Sequence, residues 1–314
     1  MNILHVDENH PLLLRSFEKL GHTNKIAYTT PLAELWDILK EYQGLIIRSR
    51  FPINADVIDQ AKNLKFIGRL GAGLENIDLE YAQKKGIVLF AAPEGNQNAV
   101  GEHCLALLLS LFNKLRQGHQ SIQNGNWIRE AHRGTELAGK TVGIIGYGYM
   151  GKSFAQKLAA LDAEVLCHDR LPNKGDRFAK QVSLETLQSK AEVISIHTDQ
   201  NPTTQPLIDS AFIDAMQHPF WLLNTARGSA VNTEALVNGL QQGKIVGAGL
   251  DVLEYESQSF HSIFNQKKQP KALAFLLQAE NVLLSPHVGG WTIESHARLA
   301  KTIVEKFINH FHQS

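Results

Sequence analysis

Short apolar runs alternate with amphipathic stretches through most of the chain. Asn2 to Val6 reads as a strand, Pro11 to Leu20 and Leu32 to Tyr42 as helices, and Gly44 to Arg48 as a short buried strand. The rhythm continues with a helix over Ala55 to Ala61, a strand over Lys65 to Arg69 and a turn holding Gly71 and Gly73. A helix over Leu79 to Lys84 and a strand over Ile87 to Phe90 follow. Strands separated by helices imply a parallel sheet with right-handed crossovers. The pattern breaks at Pro93-Glu94-Gly95-Asn96, and Ala99 to Leu115 then predicts one long helix whose leucines cover more than one face. Such a helix is buried in a core or between domains, with a share in a dimer interface as the alternative.

A second series starts at Lys140. Its strands are placed at Thr141 to Ile145, Glu164 to His168, Val193 to His197, Trp221 to Asn224, Gly247 to Asp251 and Val282 to Ser285. Six strands on one rhythm make a doubly wound sheet. A final helix over Thr292 to His312 lies beyond that series and can return to the first domain, making it discontinuous.

Composition narrows the function classes. The chain has 314 residues, 43% hydrophobic and 20% charged, which suits about two globular domains and excludes wholesale disorder. Its 31 basic and 31 acidic residues cancel, so no general electrostatic footprint for nucleic acid or an anionic membrane exists, and a small-molecule partner is expected. No apolar run approaches the roughly 20 residues that span a bilayer, and the start lacks a signal peptide's basic and apolar regions. Cys104 and Cys167, both in apolar stretches, read as buried thiols of a reducing compartment. A cytoplasmic location is the expectation. The 14 histidines show no paired ligand spacing, so no metal is expected. His103, beside Glu102 in the apolar helix, reads as a buried hydrogen-bonding residue.

Gly143-Ile144-Ile145-Gly146-Tyr147-Gly148-Tyr149-Met150-Gly151 places G-x-G-x-x-G between an apolar strand and a helical run over Lys152 to Leu161. Gly146 permits the tight turn, Gly148 lets a pyrophosphate approach the backbone, and Gly151 allows close helix packing. The next strand ends in Asp169, where an acid accepts from adenosine ribose hydroxyls and repels a 2'-phosphate. NAD is therefore favoured over NADP, with His168 and Arg170 softening the discrimination. An S-adenosylmethionine methyltransferase also combines a glycine-rich loop with an acid after the second strand, so the later strand ends must decide.

Those strand ends carry Asn224-Thr225-Ala226-Arg227-Gly228, then Asp251 with Glu254 and Glu256, then Ser285-Pro286-His287-Val288-Gly289-Gly290. Ligands of doubly wound folds bind outside the carboxyl ends of the strands, so these groups can converge with the cofactor. Each has a bland alternative: Arg227 as a helix cap or salt bridge, Glu256 as a solvated acid, His287 as a loop histidine. Jointly they suit hydride transfer at a carbinol carbon. His287 supplies a proton donor and acceptor, Glu256 favours its charged form, and Arg227 clamps a substrate carboxylate.

At these segments, and at Arg69-Leu70-Gly71-Ala72-Gly73-Leu74-Glu75-Asn76-Ile77-Asp78 and Gly249-Leu250-Asp251-Val252, the chain resembles the D-isomer-specific 2-hydroxyacid dehydrogenase family over nearly its whole length. The resemblance implies an α/β protein with a Rossmann-type doubly wound parallel sheet as cofactor domain, residues 97–290. A smaller flavodoxin-like α/β substrate domain would be built from residues 1–96 and 291–314, with the active site in the cleft between. It implies His287 as general acid and base, Glu256 as its partner and Arg227 as the substrate-orienting residue. The cofactor NAD would be held by Gly146, Gly148, Tyr149, Met150, Gly151, Asp169, His197, Thr225, Ala226 and Asp251, the last near the nicotinamide carboxamide. Backbone amides around Ala72 and Gly73 would hold the substrate carboxylate, and a homodimer would form largely through the cofactor domain.

The chain departs from the family's pattern in two places. A proline-leucine pair that commonly lines the adenine pocket is replaced by Thr198-Asp199-Gln200-Asn201-Pro202, and the loop including Ser257 to Gln269 is longer than the usual span. That loop is expected to be a dimer contact or a neutral insertion rather than a lid. Arg48-Ser49-Arg50 ends a substrate-domain strand, where the two arginines, helped by Arg69, Arg129 and Arg133, would bind a distal phosphate and favour 3-phosphoglycerate as substrate. Hydroxypyruvate, glyoxylate and pyruvate are the alternatives, and a nucleotide-sensing corepressor is the non-enzymatic one. The chain stops soon after its last helix, from which no serine feedback is expected.

Overall fold

The computed structural model describes residues 1–201, 204–256 and 269–312. In chain order the first strands and helices are β1 (Asn2–His5), α1 (Pro11–Lys19), β2 (Thr23–Ile26), α2 (Leu32–Leu39), β3 (Gly44–Ile47), α3 (Ala55–Gln60), β4 (Phe66–Arg69), α4 (Leu79–Lys84) and β5 (Val88–Ala91). Two helices follow, α5 (Pro93–Phe112) and α6 (Leu115–Gln123). The second series runs β6 (Thr141–Ile145), α7 (Tyr149–Leu158), β7 (Glu164–His168), β8 (Lys180–Gln181), α8 (Leu184–Lys190), β9 (Val193–Ile196), α9 (Ser210–Ala215), β10 (Phe220–Asn224), α10 (Thr233–Gln241), β11 (Ile245–Leu250), α11 (Lys271–Gln278) and β12 (Val282–Leu284). The last helix is α12 (Ile293–Phe311), started by a capping box between Thr292 and Ser295.

Among the described residues the chain forms two compact units, residues 1–96 with 291–312, and residues 97–256 with 269–290. The first holds a five-stranded sheet of order β2-β1-β3-β4-β5, parallel throughout. Leu13 and Phe17 of α1 and Leu299, Ile303 and Phe307 of α12 cover one face, against Ile3, Ile46, Phe66 and Phe90. Residues of α2, α3 and α4 cover the other against Leu4, Leu45, Ile47 and Ile67. The second unit holds a seven-stranded parallel sheet of order β12-β11-β10-β9-β6-β7-β8. There α5 and α7 pack on one face, and α8 to α11 on the other. Both units are doubly wound α/β folds, and in the second the strand order reverses between β6 and β9.

Three elements differ from the sequence expectation. β2 is an edge strand with no buried residue, so its Thr-Asn-Lys-Ile lacks the alternation that marks a half-buried strand. β8 has two residues and makes the sheet seven-stranded rather than six. The break at Pro93 is instead the first turn of α5, where proline is well placed because its missing N–H is not needed. Contacts with α12 fix that polar turn: Arg298 Nε donates to Gly95 O at 3.1 Å and Lys306 Nζ to Glu94 Oε2 at 2.9 Å. At its other end α5 stops at Phe112, and Lys114, at φ 50°, turns the chain into α6.

Candidate active site

In the second unit, the candidate residues occupy the loops at the carboxyl ends of β6, β7, β9, β10, β11 and β12. Gly146, after β6, has φ +91°, and a Cβ there would stand 2.7 Å from the carbonyl of His197, so only glycine fits. Gly148 is the N-cap of α7 without a side-chain cap, and nothing lies within 4 Å of where its Cβ would be. The first-turn residues Tyr149, Met150 and Gly151 thus begin a helix whose start opens onto free space, the arrangement that receives an anion. Asp169, after β7, accepts Tyr147 N–H at 2.8 Å on Oδ2 and Leu171 N–H at 2.9 Å on Oδ1, which leaves lone pairs for ribose hydroxyls.

After β9, the structure refines the expectation for His197. Burial pushes its pKa down to about 3, its Nε2 lies 2.8 Å from Ser195 Oγ, and its ring packs on Phe154 at 5.8 Å. What His197 presents to the phosphate turn is its backbone, and the ring is a neutral core group. Thr198 Oγ1, beside it, is buried with no hydrogen-bond partner, an orphan hydroxyl at the sheet's switch point. The open helix start, the acid and this orphan together fit a dinucleotide.

Beyond β11 and β12 the chain brings a histidine and a carboxylate into contact. His287 Nδ1 lies 2.8 Å from Glu256 Oε2, both side chains half-buried, while Glu256 Oε1 accepts Leu253 N–H at 2.6 Å. A carboxylate only accepts, so the shared proton sits on Nδ1 and Nε2 is the nitrogen that exchanges protons. His287 has φ +55°, rare for a residue with a side chain, and its N–H donates to Asp251 O at 2.8 Å. Asp251 is 1% exposed, and its carboxylate accepts from Ser285 Oγ at 2.6 Å, Val288 N at 2.9 Å and Gly289 N at 2.7 Å. Burial alone would raise its pKa, but the neighbouring His103, its Nε2 at 3.4 Å, and hydrogen bonds from Ser285, Val288 and Gly289 hold it below the usual carboxylate range.

The Arg227 loop after β10 is tied by one side chain. Asn224 Oδ1 accepts Ala226 N–H at 3.1 Å, Asn224 Nδ2 donates to Arg227 O at 2.9 Å, and Arg227 Nη1 donates to Ala226 O at 2.6 Å. Thr225 Oγ1 meets Cys104 Sγ at 3.1 Å, a thiol that burial pushes up to about 12 and so keeps protonated. Gly228 lies against the backbone of Leu253 and Glu254, which brings the Arg227 loop beside the segment leading to Glu256.

The first unit places Arg48 and Arg50 after β3, and Ala72 and Gly73 after β4, again at carboxyl ends. Arg48 stacks its guanidinium 3.9 Å above the Trp291 ring. Arg50 does not match the phosphate-binding expectation. Its Nη1 donates to Val6 O at 3.0 Å and Ala27 O at 2.5 Å, and its Nη2 to Thr30 O, so the guanidinium ties its own loop to the segments that follow β1 and β2. Asp7 Oδ2 meanwhile accepts the consecutive N–H groups of Arg48, Ser49 and Arg50 at 2.6, 3.2 and 3.3 Å, filling the anion-binding concavity of that loop. Sequence reasoning missed Asp7, and missed that the partner of His103 is Ser285, at 2.9 Å. A histidine within an otherwise apolar helix was the only signal. The loop over residues 257–268 lies outside the described residues.

Residues 105–289 match the model of the D-isomer specific 2-hydroxyacid dehydrogenase NAD binding domain. A D-3-phosphoglycerate dehydrogenase from Archaeoglobus fulgidus is 34% identical over 279 residues, 88% of this chain and 51% of that protein. A hydroxypyruvate reductase from Thermotoga maritima is 33% identical over 304 residues, 96% of each chain. This chain therefore spans about half the length of the first and nearly all of the second. Among solved structures, a D-lactate dehydrogenase from Aquifex aeolicus complexed with NAD and lactic acid superposes with a TM-score of 0.84 at 27% identity, covering 98% of this chain and 94% of that one. Matched by a family model over more than half its length and by a relative over 96% of both chains, the chain belongs to the D-isomer-specific 2-hydroxyacid dehydrogenase family, and residues 105–289 are its NAD-binding domain.

Proposed function

We propose that the protein is an NAD-dependent oxidoreductase that interconverts a D-2-hydroxy acid and its 2-oxo acid. The observation that carries this reading is the contact of His287 Nδ1 with Glu256 Oε2 at 2.8 Å, in a unit that also holds the dinucleotide turn. Bound NAD supplies the hydride acceptor for the carbinol carbon, and its reduced form the donor. In the oxidative direction His287 Nε2 takes the hydroxyl proton as the C–H electron pair leaves, and in reduction it returns that proton to the carbonyl oxygen. Glu256 keeps the Nδ1 proton in place and stabilises the imidazolium that forms. Arg227, on its tied loop, orients the substrate by its carboxylate and carbonyl oxygen through paired N–H donors.

For the substrate, 3-phosphoglycerate with its oxo form is supported by Arg48 and by the relatives named D-3-phosphoglycerate dehydrogenase. Hydroxypyruvate is favoured by one specific observation, the engagement of Arg50 by three carbonyls, and by the full-length match to a hydroxypyruvate reductase. A cytoplasmic homodimer completes the reading, supported by two buried free cysteines and by apolar side chains exposed around α6: Leu115, Ile122, Trp127 at 81% and Ile128. Among the described residues no helix is long and apolar enough to cross a membrane.

The test is NADH oxidation with phosphohydroxypyruvate, hydroxypyruvate, glyoxylate and pyruvate, repeated with His287→Ala. Turnover of at least one acid, lost in the variant, is the expected result, and the preferred acid names the substrate. Silence of the wild type on all four, with NADH still bound, would overturn the enzymatic reading and favour a nucleotide-sensing role.

A further inference from the structure

His103 lies on α5, far in sequence from the strand-end loops, yet its Nε2 stands 2.9 Å from Ser285 Oγ and 3.4 Å from Asp251 Oδ1. Ser285 Oγ is in turn 2.6 Å from Asp251 Oδ1. A carboxylate donates nothing and a serine hydroxyl has one proton, so that proton lies on the line to Asp251, and Ser285 Oγ must accept from His103 Nε2–H. The chain of donors therefore runs one way, from His103 through Ser285 to Asp251. Asp251 then receives Val288 N–H and Gly289 N–H on its two carboxylate oxygens and His287 N–H on its backbone oxygen. Three backbone donors of the turn that carries His287 at φ +55° thus reach this one residue, the His287 N–H being shared with Ser285 O at 3.0 Å.

Packing leaves His103 little freedom to act otherwise. A Cβ on Gly289 would lie 3.3 Å from His103 Cδ2 and 2.8 Å from Asp251 Oδ2, so the imidazole is pressed against the turn itself. The register of α5 is set by neighbours on the same face. Cys104 Sγ meets Thr225 Oγ1 at 3.1 Å, and Leu107 covers Gly249, where a Cβ would stand 3.1 Å from Leu107 Cβ. None of these α5 groups takes part directly in the proton and hydride transfers.

We propose that His103 is a positioning residue for proton transfer at His287, acting through Ser285 and Asp251 to hold the 285–289 turn in the geometry that aims His287 Nδ1 at Glu256. The kinetic part of this proposal rests on the oxidoreductase reading. His103 touches neither the reacting atoms nor the dinucleotide turn, so its removal acts on the rate of the chemical step rather than on substrate affinity.

The variants are His103→Ala, which removes the donor, His103→Gln, which restores an N–H near the Nε2 position, and Ser285→Ala, which cuts the chain in its middle. Each full-length protein is assayed with NADH and hydroxypyruvate or phosphohydroxypyruvate. Independently of turnover, the His287 ring nitrogens are followed by 15N NMR, assigned by their loss in His287→Gln. His103→Ala is expected to lower kcat by about 10- to 100-fold, the usual range for a supporting hydrogen bond, with KM changed by no more than about twofold. His103→Gln should recover most of the rate, Ser285→Ala should resemble His103→Ala, and the His287 signals should move in both alanine variants and return in His103→Gln. A folded His103→Ala with wild-type kcat, with unmoved His287 signals, or not improved upon by His103→Gln overturns the proposal. If the wild type turns over none of phosphohydroxypyruvate, hydroxypyruvate, glyoxylate and pyruvate, the oxidoreductase reading fails alone, and the His287 signals still decide the role of His103. If His103→Ala does not fold, the comparison of Ser285→Ala with His103→Gln decides the role of His103 by the same two readouts.

Discussion

Gly228→Ala adds one methyl group where the Arg227 loop meets the segment leading to Glu256. The new Cβ would overlap the Leu253 carbonyl and stand 2.7 Å from Glu254 N, all backbone atoms that no rotamer change can remove. Ordinary contact begins at about 3.5 Å, so the two segments must separate by on the order of 1 Å. Glu256 is tied to the same segment through Leu253 N–H at 2.6 Å, so the shift passes to the partner of His287. A displacement of about 1 Å in a catalytic arrangement costs roughly 100-fold in rate, or about 3 kcal/mol of barrier. The overpacking itself costs about 1–3 kcal/mol of stability. Gly148→Ala is the control, because its Cβ meets nothing within 4 Å and its φ of −88° suits any residue. It should leave the melting temperature unchanged while raising the KM for NADH, since the methyl group would occupy the space proposed for the pyrophosphate. Thermal denaturation and steady-state kinetics on both variants measure these effects. Wild-type kcat in Gly228→Ala, or equal destabilisation by both, would refute the reasoning.

Three further outcomes follow from other parts of the fold. Burial lowers the pKa of His5 from 6.5 to about 4 against the opposing hydrogen bond that His5 Nε2 donates to Asn24 Oδ1, so between those values the unfolded chain binds a proton that the folded one refuses. Stability should fall as pH drops through that window, by about 3 kcal/mol at its lower end, and His5→Gln should flatten the dependence of melting temperature on pH; parallel curves would contradict it. Arg50→Ala should lower the melting temperature yet leave the ratio of kcat/KM for phosphohydroxypyruvate and hydroxypyruvate unchanged, whereas a selective loss on the phosphorylated acid would return Arg50 to the substrate. Trp127→Glu should shift the protein from dimer to monomer in light scattering after gel filtration, and a wild-type monomer would remove the dimer from the reading.

Much of the architecture was legible because most strands here are buried and carry continuous apolar runs. Thr141–Ile145 and Glu164–His168 end where the hydrophobic pattern ends. Thr23–Ile26 was not legible, since an exposed edge strand is held by backbone pairing to β1 and needs no apolar side chains. The first turn of α5 was hidden for a similar reason: its stability comes from Arg298 and Lys306, about two hundred residues away. In the site, the chemical types at the strand ends were visible in order, but their partners were not. Arg50 looked like a ligand for phosphate because a guanidinium's donors are anonymous in sequence, and only folding reveals that Val6, Ala27 and Thr30 carbonyls take them. His103 and Ser285 stand 182 residues apart, and no local pattern links them.

The place of α12 in the first sheet bears on how the chain folds as it is made. Strands β1, β3, β4 and β5 emerge from the ribosome early, but the face carrying Ile3, Ile46, Phe66 and Phe90 is covered in part by Leu299, Ile303 and Phe307. About 200 residues separate β5 from that helix, an interval of roughly 10–40 s at ordinary rates of synthesis. During it, the second sheet can complete its own cores while the first waits with an uncovered apolar surface. Of the two sheets, the first to be started is thus the later to be covered, and the one for which a holding chaperone has the more time to act.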